Sequence, residues 1–215
     1  MSEELVPGAV APELAREFPQ LGLVSLVLEG IVPRRAPREV RERLEMLSSR
    51  IRGGQALELR RRPVPQAYRV FLRQSGVDPD CERPPGEEAL VQRLIRGGFR
   101  SESLVEDALT IALVETDVPV WALDADRLAG PLHLRLARAA GKAGRGSRAR
   151  PVASGRIVVA DDDGPLAEAL GPPGPGAGVT QATRRMLLYT VRVAGVPEIH
   201  VEEALWECAG VLRAG

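Results

Sequence analysis

Apolar residues change their spacing several times along the chain, and each change marks a predicted element. Leu21–Val32 is a run of Leu, Val and Ile stopped by Pro33, and it predicts a buried strand. Ala36-Pro37-Arg38 opens a helix with proline in its first turn, in which Val40, Leu44, Leu47 and Ile51 recur at helical spacing until Gly53-Gly54. A second helix is predicted over Glu87–Arg96, with Leu90, Val91, Leu94 and Ile95 inward and Gly97-Gly98 as its stop. Ser103 followed by Glu106 is a capping box. It starts a third helix that reaches about Val114, with Leu104, Ala108, Ile111 and Ala112 as its apolar stripe.

Beyond Pro119 the period falls to two, so Val120–Leu123, Leu132–Ala137 and Arg156–Ala160 predict strands. Ala139–Arg150, rich in Gly, Ala, Arg and Ser, predicts a mobile loop. Gly171–Gly178 can be neither helix nor central strand. Thr180 is expected to cap a helix carrying Met186, Leu187 and Val191, and a last helix is expected over Val201–Leu212. Residues 1–20, broken by Pro7, Pro12 and Pro19, read as a loosely structured lead-in, and residues 21–215 as one domain. Helices and strands are segregated, which predicts an α+β fold rather than a βαβ repeat.

Composition narrows the class. The chain has 215 residues, 44% hydrophobic and 27% charged, enough for a self-sufficient core. No apolar run approaches the roughly 20 residues of a membrane span, and Met1–Leu5 has neither a basic nor an apolar leader region. Cys81 and Cys208 are far apart and read as free thiols in a reducing compartment, so a cytoplasmic location is expected. Net charge is zero, yet of 29 Lys+Arg residues only Lys142 is lysine, and asparagine is absent. That bias fits a GC-rich, heat-tolerant source, and zero net charge limits nucleic-acid contact to local basic faces.

Most catalytic signatures are missing. No HExxH, GxSxG, phosphate-binding loop or GxGxxG occurs, and no metal or cofactor is expected. His133 and His200 read as structural or surface residues. Asp161-Asp162-Asp163-Gly164 reads as a turn, because successive extended side chains diverge. Arg60, Arg61 and Arg62 are candidate RNA phosphate contacts, and the group Arg34, Arg35, Arg38, Arg41 and Arg43 is a second basic cluster.

A family resemblance runs through Cys81–Leu188. Its parts are Tyr68-Arg69 and Gly76–Pro79 leading in, Arg83–Leu90, Leu104–Asp107, Pro119–Asp124, Leu134–Ala137, Val158–Gly164 and Val179–Thr183. Order and spacing resemble the B3/B4 domain of the phenylalanyl-tRNA synthetase β subunit, and more closely its free-standing relatives. The resemblance implies a mixed, barrel-like β-sheet core with peripheral helices. It also implies a pocket that in the synthetase hydrolyses tyrosine wrongly esterified to phenylalanine tRNA. Such a site need only place a water and hold the terminal ribose.

The departures from the family matter as much. Thr110 stands at the family's asparagine, and Trp121 at the synthetase's histidine. The loop Gly174–Gly178 lacks the synthetase's glutamate and histidine. Thr110, Trp121, Thr180 and Thr183 are therefore the candidate substrate-binding residues, with no catalytic residue assigned. Trp121 either fills the pocket or stacks on a substrate ring. Asp107 and Asp124 read as structural carboxylates, with Arg135 a possible partner. Three readings follow: a stand-alone protein that binds tRNA or aminoacyl-tRNA and acts in trans as a deacylase, a non-catalytic RNA- or protein-binding module, or a pocket for an amino-acid-like molecule. The oligomeric state stays open.

Overall fold

A computed structural model describes residues 4–51, 61–138 and 141–215. The fold is α+β, and the chain divides into two units. One, Met1–Val32 with Trp121–Ala194, holds the strands; the other, Pro33–Val120 with Gly195–Gly215, is helical.

The β unit is built on β1 (Leu5–Val10), β2 (Gly22–Glu29), β3 (Trp121–Asp124), β4 (His133–Leu136), β7 (Ile157–Asp161), β8 (Gly164–Glu168) and β9 (Arg185–Arg192). They form a curled seven-stranded sheet in the order β3-β9-β2-β1-β4-β7-β8. Only β1 and β4 run parallel; the other neighbours are antiparallel. Strand β2 pairs with β9 along its whole length, from Gly22 opposite Arg192 to Glu29 opposite Arg185. The core of the unit includes Leu23, Leu26, Leu28, Leu123, Leu134, Val158, Leu188 and Val191.

Several expectations are corrected here. The helix expected after Thr180 is strand β9, flanked by β3 and β2. Met186–Val191 is buried throughout, and a short continuous apolar run has no period to separate strand from helix. The lead-in expected over residues 1–20 contains β1 and a short helix, α1 (Pro12–Glu17), whose Leu14 is fully buried. Pro12 sits at the helix start, where proline is tolerated. Within the loop expected over 139–150, residues 141–150 contain β5 (Lys142–Ala143), paired with β6 (Arg150–Pro151) around a 3-10 turn; residues 139 and 140 lie outside the described residues.

The helical unit contains α2 (Arg38–Arg50), α3 (Pro63–Gln74), α4 (Pro85–Arg96), α5 (Leu104–Thr116) and α6 (Glu198–Ala214) among the described residues. Helix α5 packs against α2 and α6, and its Ser103 cap accepts the Glu106 N–H at 3.2 Å. The expected stripes are buried: Val40, Leu44 and Leu47 on α2, and Leu104, Ala108, Ile111 and Ala112 on α5. Helix α4 departs from expectation. Only Leu90 and Glu87 are buried, while Leu94 and Ile95 are 43% and 73% exposed. Helix α3 was not expected, because prolines at positions 63 and 65 mask a stripe of Val64, Ala67, Tyr68 and Phe71. None of the described helices is long and apolar enough to cross a membrane.

Candidate functional site

In the β unit, strand β3 carries Trp121 and Asp124, three positions apart and therefore on opposite faces. Trp121 is 7% exposed and stacks on Tyr189 of β9, with ring centroids 5.6 Å apart and planes inclined by 23°. The indole occupies packing space. The Tyr189 hydroxyl is buried without a hydrogen-bond partner among the described residues, and burial pushes its pKa up.

On the other face, Asp124 accepts the Thr183 hydroxyl at 2.8 Å and the Asp126 N–H at 3.2 Å, with Arg127 at 3.6 Å. Arg127 therefore takes the place expected for Arg135, whose guanidinium donates to the Leu136 carbonyl. Thr180 donates its N–H to the Thr183 hydroxyl at 3.0 Å, and its own exposed hydroxyl lies 3.4 Å from that oxygen. The structure thus brings Thr180 and Thr183 together, tied to Asp124.

The glycine-rich loop is clipped to the same strand: Asp124 N–H donates to the Ala177 carbonyl at 3.1 Å, and Leu123 bridges Gly178. A Cβ at Gly174 would collide with the Ala143 carbonyl, and one at Gly144 with that of Pro175. These glycines let two backbone segments cross. The triple aspartate is the β7–β8 turn, as its sequence reads. Asp161, 1% exposed, accepts N–H groups from Ala129, Asp163 and Gly164 at 2.8, 3.1 and 3.2 Å, and pairs with Arg145.

Thr110 belongs to the helical unit. Its hydroxyl donates to the Glu106 carbonyl one turn earlier, at 2.8 Å. It lines a cleft of about 150 Å³ with Arg93, Arg96, Arg100 and Glu106. Burial, together with Glu102 and Asp107, pushes the Glu106 carboxyl up. Asp107 itself is buried and accepts the Ser101 hydroxyl at 2.5 Å and the Glu102 N–H at 3.0 Å.

Of the candidate RNA contacts, Arg60 lies outside the described residues. Arg61 is exposed in a turn, and Arg62 precedes α3 and pairs with Asp117 at 3.2 Å. The second basic cluster is largely committed to protein groups. Arg38 bonds Glu42, Arg43 bonds Glu115 and Glu207, Arg41 and Arg34 bond carbonyls, and Arg35 is exposed.

Two features of the helical unit went unread. Arg69 and Glu87 are each 5% exposed; one guanidinium nitrogen of Arg69 donates to both Glu87 carboxylate oxygens, at 2.8 and 3.0 Å, and another donates to Asp80 at 2.5 Å. Burial pulls the Arg69 pKa down, but bonds from Asp80 and Glu87 outweigh it and the net shift is upward. An arginine inside the apolar stripe of α3 was the available signal. The second feature is a cavity of about 440 Å³ lined by parts of α2, α3, α4 and α5. Its residues lie too far apart in sequence to form a motif.

Comparison with known proteins defines the class. Residues 67–201 match the model of the B3/4 domain, well over half the chain, so this protein belongs to the B3/4 domain family. Among its relatives is the phenylalanine–tRNA ligase beta subunit of Xylella fastidiosa strain Temecula1, 34% identical over 88 residues, 41% of this chain and 10% of that protein. The same subunit of Neisseria meningitidis serogroup A is 33% identical over 109 residues, 50% of this chain and 14% of that protein. The chain thus matches only a small fraction of the length of these relatives. An N-terminal fragment of the phenylalanyl-tRNA synthetase beta subunit from Pyrococcus horikoshii aligns with a TM-score of 0.41 at 15% identity, covering 51% of this chain and 39% of that one.

Proposed function

We propose that this B3/4 module binds tRNA or aminoacyl-tRNA and does not perform the selective tyrosine release of the synthetase domain it resembles. The observation that carries the RNA part is the family match over residues 67–201, with relatives named as phenylalanine–tRNA ligase beta subunits. The chemical part rests on the side chains. A pocket that selects a substrate hydroxyl needs placed polar partners. Here Trp121 is stacked in the core, Thr183 is committed to Asp124, and Gly174–Gly178 offers no ionisable group. The exposed Thr180 hydroxyl and Thr110 remain as groups able to orient a water or a ribose. Ester hydrolysis by this protein therefore favours an aminoacyl group other than tyrosine.

The binding test is a salt titration with unmodified tRNA. Each phosphate contact contributes a slope of about −0.9 in log K against log salt on duplex and about −0.7 on single strands. Replacing Arg60, Arg61 and Arg62 by Ala should weaken binding and flatten that slope. The Arg60/Arg61 double variant should keep most of the effect, which separates RNA contact from loss of the Arg62–Asp117 pair. Unchanged affinity and slope in both variants would remove this patch from the reading.

A further inference from the structure

We propose that the 440 Å³ cavity of the helical unit is a binding site for a small organic anion with an apolar body, anchored by Arg50. Its volume falls in the range of small-molecule sites. Leu47, Ile51, Leu90 and Leu113 give it apolar walls. Its charged lining residues are Arg50, Arg62, Glu87, Glu115 and Asp117. All but one face an opposite charge: Arg62 and Asp117 each other at 3.2 Å, Glu87 with Arg69 at 2.8 Å, Glu115 with Arg43 at 2.5 Å. Arg50 is the exception. Its described hydrogen bond goes to the Met46 thioether at 3.6 Å, a weak and neutral acceptor. Among the described residues it is the one lining charge without a counter-charge.

The helix ends around the cavity add a second argument. The opening turn of α4, Pro84–Glu87, brings a positive helix end to it. The negative end of α5 also lines it through Leu113–Asp117, but there Arg62 is already supplied as the counter-charge. One exposed guanidinium without a counter-charge among the described residues stands beside an apolar wall. That favours a monoanion, a carboxylate or sulfonate, over a cation or a neutral molecule. This site rests on none of the residues of the RNA reading except Arg62, and its test contains no RNA.

The test is fluorescence titration of the full chain with 1-anilinonaphthalene-8-sulfonate, beside N-phenyl-1-naphthylamine, the same apolar body without the sulfonate. Saturable binding of the sulfonate at one site per chain is expected, with weaker binding of the neutral probe. Arg50→Gln should weaken the sulfonate by about tenfold, the scale of a charged hydrogen bond, and leave the neutral probe unchanged. Ala89→Phe, which fills the cavity, should abolish both while an Arg35→Gln control keeps both. Equal affinity for the two probes, or sulfonate binding indifferent to Arg50→Gln, would overturn the proposal. So would binding that survives Ala89→Phe in a variant whose far-UV spectrum and melting show it folded.

Discussion

The two units use their polar side chains in opposite ways. In the β unit the residues that family resemblance singles out are occupied in holding the fold: Trp121 stacks on Tyr189, Thr183 bonds Asp124, and the glycine loop is clipped to β3. In the helical unit a cavity of about 440 Å³ has at its wall a guanidinium without a counter-charge among the described residues, at residues no motif singles out. Positions that a family motif marks can thus be positions that the fold itself needs.

The sharpest contrast within the helical unit is the Arg69–Glu87 pair. Removing one partner of a buried pair leaves an uncompensated charge, so Arg69→Met should cost about 3–5 kcal/mol in urea unfolding. Adding Glu87→Leu to it should restore much of that loss; an additive cost would mean the pair is not acting as one unit. Arg50→Gln, at the exposed lip of the cavity, should change stability by less than about 0.5 kcal/mol.

In the β unit, Trp121→Ala should cost about 3–5 kcal/mol, as for other buried large aromatics. A small loss there, on the order of a surface substitution, would return Trp121 to the role of a ligand-facing ring. Thr183→Val should cost about 1–2 kcal/mol, because Asp124 loses its hydroxyl donor and keeps its other partners. If instead Thr183→Val left unfolding unchanged and reduced a measured hydrolysis, its bond to Asp124 would belong to chemistry.

The smallest effect is in the pH profile. Burial raises the Asp117 carboxyl above its ordinary value of 3.8, against the pull of Arg62. The folded state then holds its proton to higher pH than the unfolded chain does. The contribution of Asp117 to stability should fall as pH rises through the window just above 3.8 and then level off. Asp117→Asn, at a left-handed helix cap that Asn tolerates, should remove that fall. A difference between wild type and Asp117→Asn that rises through this window would reverse the sign of the assignment.

Legibility in the sequence followed the source of each signal. Strand β2, helices α2, α4, α5 and α6, and the Asp161 turn were readable because a period, a cap or a turn residue marks them. Strand β9 was not, since Met186–Val191 is buried on both faces and carries no period. Of the site residues, Thr180 and Thr183 were singled out by the family resemblance, but not their link to Asp124, 59 positions before Thr183. The cavity was invisible for the same reason: Arg50, Leu90 and Leu113 meet only through helix packing.

The most direct measurement is deacylation of tyrosine from mischarged phenylalanine tRNA, run beside a panel of other mischarged tRNAs. With Trp121 packed on Tyr189 and Thr183 held by Asp124, tyrosine should be released at the uncatalysed rate, and any enzyme-dependent hydrolysis should appear on another aminoacyl group. Brisk, selective release of tyrosine that disappears in Trp121→Ala, in protein still folded at the assay temperature, would contradict the account.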